Sequence, residues 1–110
     1  MKKNFEVLFM PEAIEFLEDL ERAVKEKILK NIEKAQMTRD PELFKKLSGE
    51  MWEFRTKYEN QNYRLLAFWS REQRALVIST HGFIKKTVKT PKKEIKKGKN
   101  IRDNYLSGGI

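Results

Sequence analysis

Cysteine is absent from this sequence, and histidine occurs once, at His81. Without thiols, disulfides, thiolate metal sites and cysteine nucleophiles are excluded together, and such a chain suits a reducing compartment. A lone histidine leaves no multi-histidine metal centre and no imidazole pair to share acid and base duty. Long apolar runs are missing too: none approaches the roughly 20 residues that cross a bilayer. The opening MKKNFEVLFMPEA gives way to acidic, helix-like sequence in place of a secretion signal. The expectation is a cytoplasmic protein with no membrane partner. GxxxxGK[ST], GxGxxG and HExxH are also lacking, so no metal and no cofactor are expected.

What is present is compact in scale and lopsided in charge. The 110 residues suit one domain, 1–110, with 39% hydrophobic and 36% charged residues and seven Phe, three Tyr and two Trp to build a core. The net charge of +8 resides in the second half. Residues 1–55 carry 11 basic and 12 acidic side chains, whereas residues 56–110 carry 13 and 4. Such a field fits a polyanionic partner, whether nucleic acid, acidic protein or membrane surface, or simply a soluble basic surface.

Punctuation and periodicity give the elements. NFEVLFM (Asn4 to Met10) reads as a strand closed by Pro11, which also suits the first position of a helix. Apolar residues at Ala13, Ile14, Phe16, Leu17, Leu20, Val24, Ile28, Leu29, Ile32 and Ala35 follow helical spacing. They predict one long helix or two joined near Asp19 to Arg22, and a domain this small favours the αα-hairpin. Asp40-Pro41 reads as a cap and first position for one or two helical turns through Leu43 to Leu47. MWEFRTK, NYRLLAFWS and RALVISTHGF then predict three strands in an antiparallel meander, with Trp52, Phe54 and Thr56 on one face of the first and Glu53, Arg55 and Lys57 on the other. Thr90-Pro91 reads as the cap of a final helix from Lys92 to Leu106, thin in apolar residues and weakened by Gly98. The order β-α-α-β-β-β-α predicts an α+β fold with helices packed on one face of a mostly antiparallel sheet.

The candidate chemistry is cationic. Hairpin pairing brings Arg55, Lys57 and Arg64 toward Lys85, Lys86 and Lys89, just past the last strand. Guanidinium forks grip phosphate, and ammonium groups neutralise charge developing at phosphorus. Arg64 lies in an otherwise apolar strand, where it needs a partner, either a phosphate or a carboxylate such as Glu53. His81 reads as a strand-end residue with a locally bonded ring. Trp52 and Phe83 could stack bases but suit core packing better.

The run KKLSGEMWEFRTKYENQNYRLLAFWSREQRALVISTHGFIKKTVKTPKKEIKKG resembles the RelE/ParE superfamily of bacterial type II toxins, specifically its phage-derived HigB-like branch. Four landmarks occur in order: a KL-x-G turn, a (L/M)WE(L/F)R strand, a YR strand and an (H)GF-x-KK-(T/S)-x-K-(T/S)-P segment. The resemblance covers Lys45 to Gly98. It implies a RelE-like fold and a metal-independent, ribosome-dependent messenger RNA endoribonuclease, neutralised by a cognate helix-turn-helix antitoxin. In such relatives the 2′-hydroxyl attacks the adjacent phosphate.

Carried over by motif, the resemblance implies that Arg64 contacts the scissile phosphate, that Arg55 fills a basic position on the preceding strand, and that Lys85 and Lys86 belong to the basic segment after the last strand. Glu53 is a general base or the partner that holds the arginines. Tyr58, Tyr63 and Tyr105 are candidates for the general acid, and the chain end NYLSGGI offers only Tyr105 where many cleaving relatives have Tyr or His. Lys57, Lys89, Lys92, Lys93, Lys96 and Lys97 would bind RNA, with the last four also suited to an acidic antitoxin. Two other readings remain open: a ParE-like toxin that inhibits DNA gyrase by binding, and a non-catalytic basic RNA-binding domain.

Overall fold

The computed structural model describes residues 2–108. Strand β1 (Glu6–Phe9) leads into helices α1 (Pro11–Glu18) and α2 (Arg22–Thr38). Then follow β2 (Phe44–Lys46), β3 (Trp52–Tyr58), β4 (Gln61–Trp69), β5 (Leu76–Lys85) and α3 (Lys92–Leu106). The five strands form one sheet in the order β1-β5-β4-β3-β2, antiparallel except where β1 runs parallel to β5. The mixed α+β architecture matches the reading of the sequence, including the helical break at residues 19–21.

Three expectations are corrected. The segment after Asp40 is a turn and a strand, not a helix. Asp40 does cap, its Oδ1 accepting the Glu42 N–H at 2.9 Å, but the turn opens at once into β2. Phe44 explains the outcome, because it stacks on Phe54 and Trp52 at centroid separations of 4.4 and 4.8 Å, which requires an extended chain beside β3. Second, the helices do not share one face. α1 and α2 bury Ala13, Leu17, Val24, Ile28, Ile32 and Ala35 against Phe54, Leu65, Ala67 and Val77. α3 lies on the opposite face, where Ile95 packs with Met51, Leu66, Phe68 and Ile78. Ile14 and Leu29, which shared the helical periodicity, are exposed. Third, Pro91 and not Thr90 is the N-cap of α3; the Thr90 hydroxyl has been recruited by Glu53.

The β3–β4 hairpin closes through Glu59 and Asn60, both at positive φ (46° and 66°), the type I′ geometry that follows strand twist. It sets Arg55 directly opposite Arg64. A bulge in β5 matters equally. Leu66 pairs with His81 but Ala67 pairs with Ser79, so Thr80 is the extra residue. Its insertion shifts the alternation and puts His81, Phe83 and Lys85 on the α3 face of the sheet. Without it Lys85 would face the α1–α2 side.

Gly82 falls on that other face, under α1. A Cβ there would lie 2.2 Å from Cδ2 of Phe16 and within 2.7 Å of two more ring atoms, so the whole ring would have to move. Gly82→Ala is expected to cost about 1–3 kcal/mol, lowering the melting temperature by roughly 4–12 °C. Thermal denaturation followed by circular dichroism measures this, and in a Phe16→Ala background most of the cost of Gly82→Ala should disappear.

Candidate functional site

On the α3 face, three rows of side chains cross β3, β4 and β5, the first of them reaching under the helix. The register aligns Glu53 with Leu66 and His81, Arg55 with Arg64 and Phe83, and Lys57 with Asn62 and Lys85. Lys45 of β2 sits opposite Glu53 on the same face. Above the rows opens a cleft of about 540 Å³. Its cations are Lys45, Lys46, Arg55, Lys85 and Lys89, and its walls are the β2–β3 turn, the loop Val88 to Thr90, and Ile95 of α3.

Glu53 organises the floor. It is 3% exposed and lies 3.5 Å from Nε of Arg64 and 3.7 Å from Nε of Arg55. The Thr90 hydroxyl donates to Oε1 at 2.8 Å, tying the basic loop down onto the sheet. These contacts occupy the carboxylate, so its geometry suits positioning the arginines better than taking a proton. Arg64 is itself buried, and its Nη1 donates to the Tyr63 carbonyl at 3.3 Å. Its buried Nε has no hydrogen-bond partner among the described residues. At 3.5 Å the Glu53 contact is therefore a charge attraction and not the bidentate fork that would saturate a guanidinium. Burial lowers the Arg64 pKa from its usual value; Glu53 opposes that shift and Arg55 adds to it.

Lys85 feels the same environment. Burial and the neighbouring Arg64 push its pKa down, Glu53 resists, and Arg55 and Lys45 push further down. Several cations held this close repel one another unless an anion sits among them, so the cleft favours a ligand of concentrated negative charge.

Of the residues singled out in the sequence, Glu53, Arg55, Lys85 and Lys89 line this cleft; Arg64, buried beside Glu53, lines the neighbouring cleft around the edge of β3, and the others lie elsewhere. Lys86 follows the end of β5 and is exposed, outside the cleft. Lys57 is on the correct face but lines a neighbouring cleft around the edge of β3. On α3, Lys92 and Lys96 flank a shallow cavity that also contains Ser48 and Ile95, both shared with the cationic cleft. Lys93 and Lys97 line neither. The tyrosines are displaced from the chemistry: Tyr63 is buried in the α1–α2 core, Tyr58 lines an acidic cavity with Asp19 and Glu21, and Tyr105 packs edge-on against Phe68. Lys45 and Lys46 were not assigned from the sequence. Once β2 is recognised as a strand, alternation puts Lys45 on the face opposite Phe44, and the register with β3 sets it beside Glu53.

His81 is an interior residue of β5, not a strand-end one, and its ring is indeed locally bonded. Nε2 lies 3.1 Å from Glu94 Oε1 on α3, and Nδ1 lies 3.0 Å from Thr80 Oγ1. In the neutral ring Nε2–H donates to Glu94 and Nδ1 accepts from Thr80. Burial lowers the His81 pKa below 6.5, Lys97 adds to the shift, and Glu94 and Glu12 oppose it. A histidine with a depressed folded-state pKa leaves stability intact above its unfolded pKa; the unfolded chain binds the proton more readily below it. Melting temperature should therefore fall as pH drops from about 7 to 5, and His81→Gln should flatten the part of that fall due to this ring.

Trp52 stacks on Phe44 and meets Trp69 edge-on, within the aromatic cluster on the α1–α2 face, so its first role is packing. Phe83 is half-buried beside His81, at a centroid distance of 6.1 Å, on the cationic face.

The sheet order, the helical hairpin and the basic floor together define a class. The chain has the RelE fold. It superposes on the isolated E. coli RelE toxin with a TM-score of 0.58 at 18% identity, covering 84% of this chain and 96% of that one. The intact E. coli RelBE toxin–antitoxin complex gives 0.55 at 20% identity, covering 71% and 93%. The RelBE2 toxin–antitoxin complex of Mycobacterium tuberculosis gives 0.56 at 19%, covering 74% and 99%. Within that class the chain belongs to the family described as Phage derived protein Gp49-like (DUF891), whose profile matches residues 15–103. No curated protein matches the sequence. The family and the fold bear out the resemblance to the phage-derived side of the RelE superfamily.

Proposed function

We propose that this chain, acting as a single domain, is the toxin of a type II toxin–antitoxin system and cleaves messenger RNA on the ribosome. The observation that carries the proposal is the pair Arg55 and Arg64, opposed in register over one buried carboxylate, with Lys85 beside them and the buried Arg64 Nε without a hydrogen-bond partner among the described residues. A surface that only docks protein has no need to hold an arginine in the sheet interior at that cost.

In the proposed reaction the RNA 2′-oxygen attacks the adjacent phosphorus as the P–O5′ bond breaks. The products are a 2′,3′-cyclic phosphate and a 5′-hydroxyl. Arg64 and Arg55 grip the non-bridging oxygens and stabilise the charge of the phosphorane-like transition state. Glu53 and Thr90 hold the arginines and the basic loop in place. Lys85, with its lowered pKa, exchanges a proton at the 2′- or 5′-oxygen more readily than an ordinary lysine. Lys45, Lys46 and Lys89 line the entry for neighbouring phosphates; Lys86, Lys92 and Lys96 extend the positive surface.

Two of the structurally similar chains come from toxin–antitoxin complexes, which supports a cognate antitoxin as the partner here. Inducing the protein in bacteria and mapping RNA ends should give cuts inside translated codons. Intact messages accompanied by broken DNA would instead favour a gyrase inhibitor on the same fold.

A further inference from the structure

The cationic cleft does not stop at Arg55. That side chain also lines a second cleft of about 420 Å³, which wraps the free edge of β3 and reaches helix α2. Its cations are Lys27 and Lys34 of α2 with Arg55, Lys57 and Arg64, and Glu42 is the one acid among its described lining residues. Two features build it. Strand β2 pairs only with Trp52 to Phe54, and the Leu43 carbonyl accepts from the Arg55 N–H at 2.8 Å, after which β3 continues with no strand beside it. By alternation the Lys57 N–H points to that same open side. The Asn31 amide donates to the Thr56 hydroxyl at 3.1 Å, fixing α2 against the edge so that Lys27 and Lys34, two turns apart on one helical face, overhang it.

We propose that this second cleft is a backbone-binding track for single-stranded RNA. It continues the strand held at Arg55 and Arg64 around the edge of β3 to Lys27 and Lys34. The inference rests on the RNA reading of the first cleft and adds the direction in which the strand leaves it. The chemistry is that of successive phosphodiesters. Exposed lysines and an open strand N–H neutralise and bind phosphate oxygens without selecting bases.

The test uses a fluorescein-labelled 2′-O-methyl RNA dodecamer, which binds but has no 2′-hydroxyl to react, and fluorescence anisotropy over a range of salt. Lys27→Ala combined with Lys34→Ala should flatten the plot of log affinity against log salt by about 1.4, two contacts at roughly 0.7 each. Between 50 and 200 mM salt that makes the wild type lose about sevenfold more affinity than the variant. Lys25→Ala with Lys30→Ala removes the same charge from α2 outside the cleft and should leave the slope unchanged. Equal flattening by both pairs would mean a diffuse field and overturn the track. An unchanged slope in the Lys27/Lys34 variant, with the wild type still binding, would overturn the track and leave the first cleft standing. No RNA binding by the wild type, with antitoxin binding weakened by the same pair, would assign the cleft to an acidic protein and overturn both readings.

Discussion

Arg64→Ala is expected to abolish growth arrest and to reduce message cleavage by at least about 100-fold, the scale on which one preorganised transition-state donor acts. The size follows from placement. Arg64 is 5% exposed, stands opposite Arg55, and is attracted by a carboxylate that does not saturate its donors. Arg64→Lys is the sharper variant, since it keeps the charge and loses the planar fork; it should remain deeply impaired. Cleavage assays on protein made in a cell-free system avoid selection against the active toxin, and circular dichroism on the same samples separates lost chemistry from lost fold. Activity of the lysine variant close to wild type would mean that charge suffices and that the fork is not used.

Removing Glu53 should have the largest effect on stability. Glu53→Ala leaves Arg64 buried beside Arg55 with no counter-charge, and breaking a buried pair from one side costs roughly 3–5 kcal/mol. The 3.5 Å separation places the expected loss near the lower figure, a fall in melting temperature of roughly 12 °C. Replacing both partners, Glu53→Leu with Arg64→Met, should recover most of that stability, because it removes the unpaired charge together with the pair. The recovered protein should still fail to cleave. This combination, stable and inactive, would show that the buried charges serve the cleft and not the fold. A single Glu53 variant as stable as wild type would show that the carboxylate does not hold the arginine.

Much of this site was legible in the sequence because strand alternation is a strict rule. Glu53, Arg55 and Lys57 had to share a face, and the short YENQ connector had to bring Arg64 across from Arg55. The meander and the span of α3 were legible for similar reasons of spacing and punctuation, whereas periodicity left open one long helix or two, and only the small size of the domain favoured the break. Three features were hidden. Asp40-Pro41 starts a helix and a turn equally well, and only the tertiary pull on Phe44 converts the segment to β2, carrying Lys45 to the site. The Thr80 bulge shifts alternation by one residue; a reading of local periodicity has no access to the pairing partner that creates it. Thr90 satisfies every local rule for a helix cap and is instead taken by a buried carboxylate 37 positions earlier. Tyr63 is the neighbour of Arg64 in β4, so the alternation that puts Arg64 on the α3 face points Tyr63 to the opposite one.

The most direct measurement of the central claim is the chemistry of the RNA ends formed when the purified protein acts on ribosomes programmed with a defined message. The account predicts cuts within the translated frame, with 2′,3′-cyclic phosphate and 5′-hydroxyl termini, present with wild type and absent with Arg64→Ala. A message left intact under conditions in which the protein still arrests growth would contradict it.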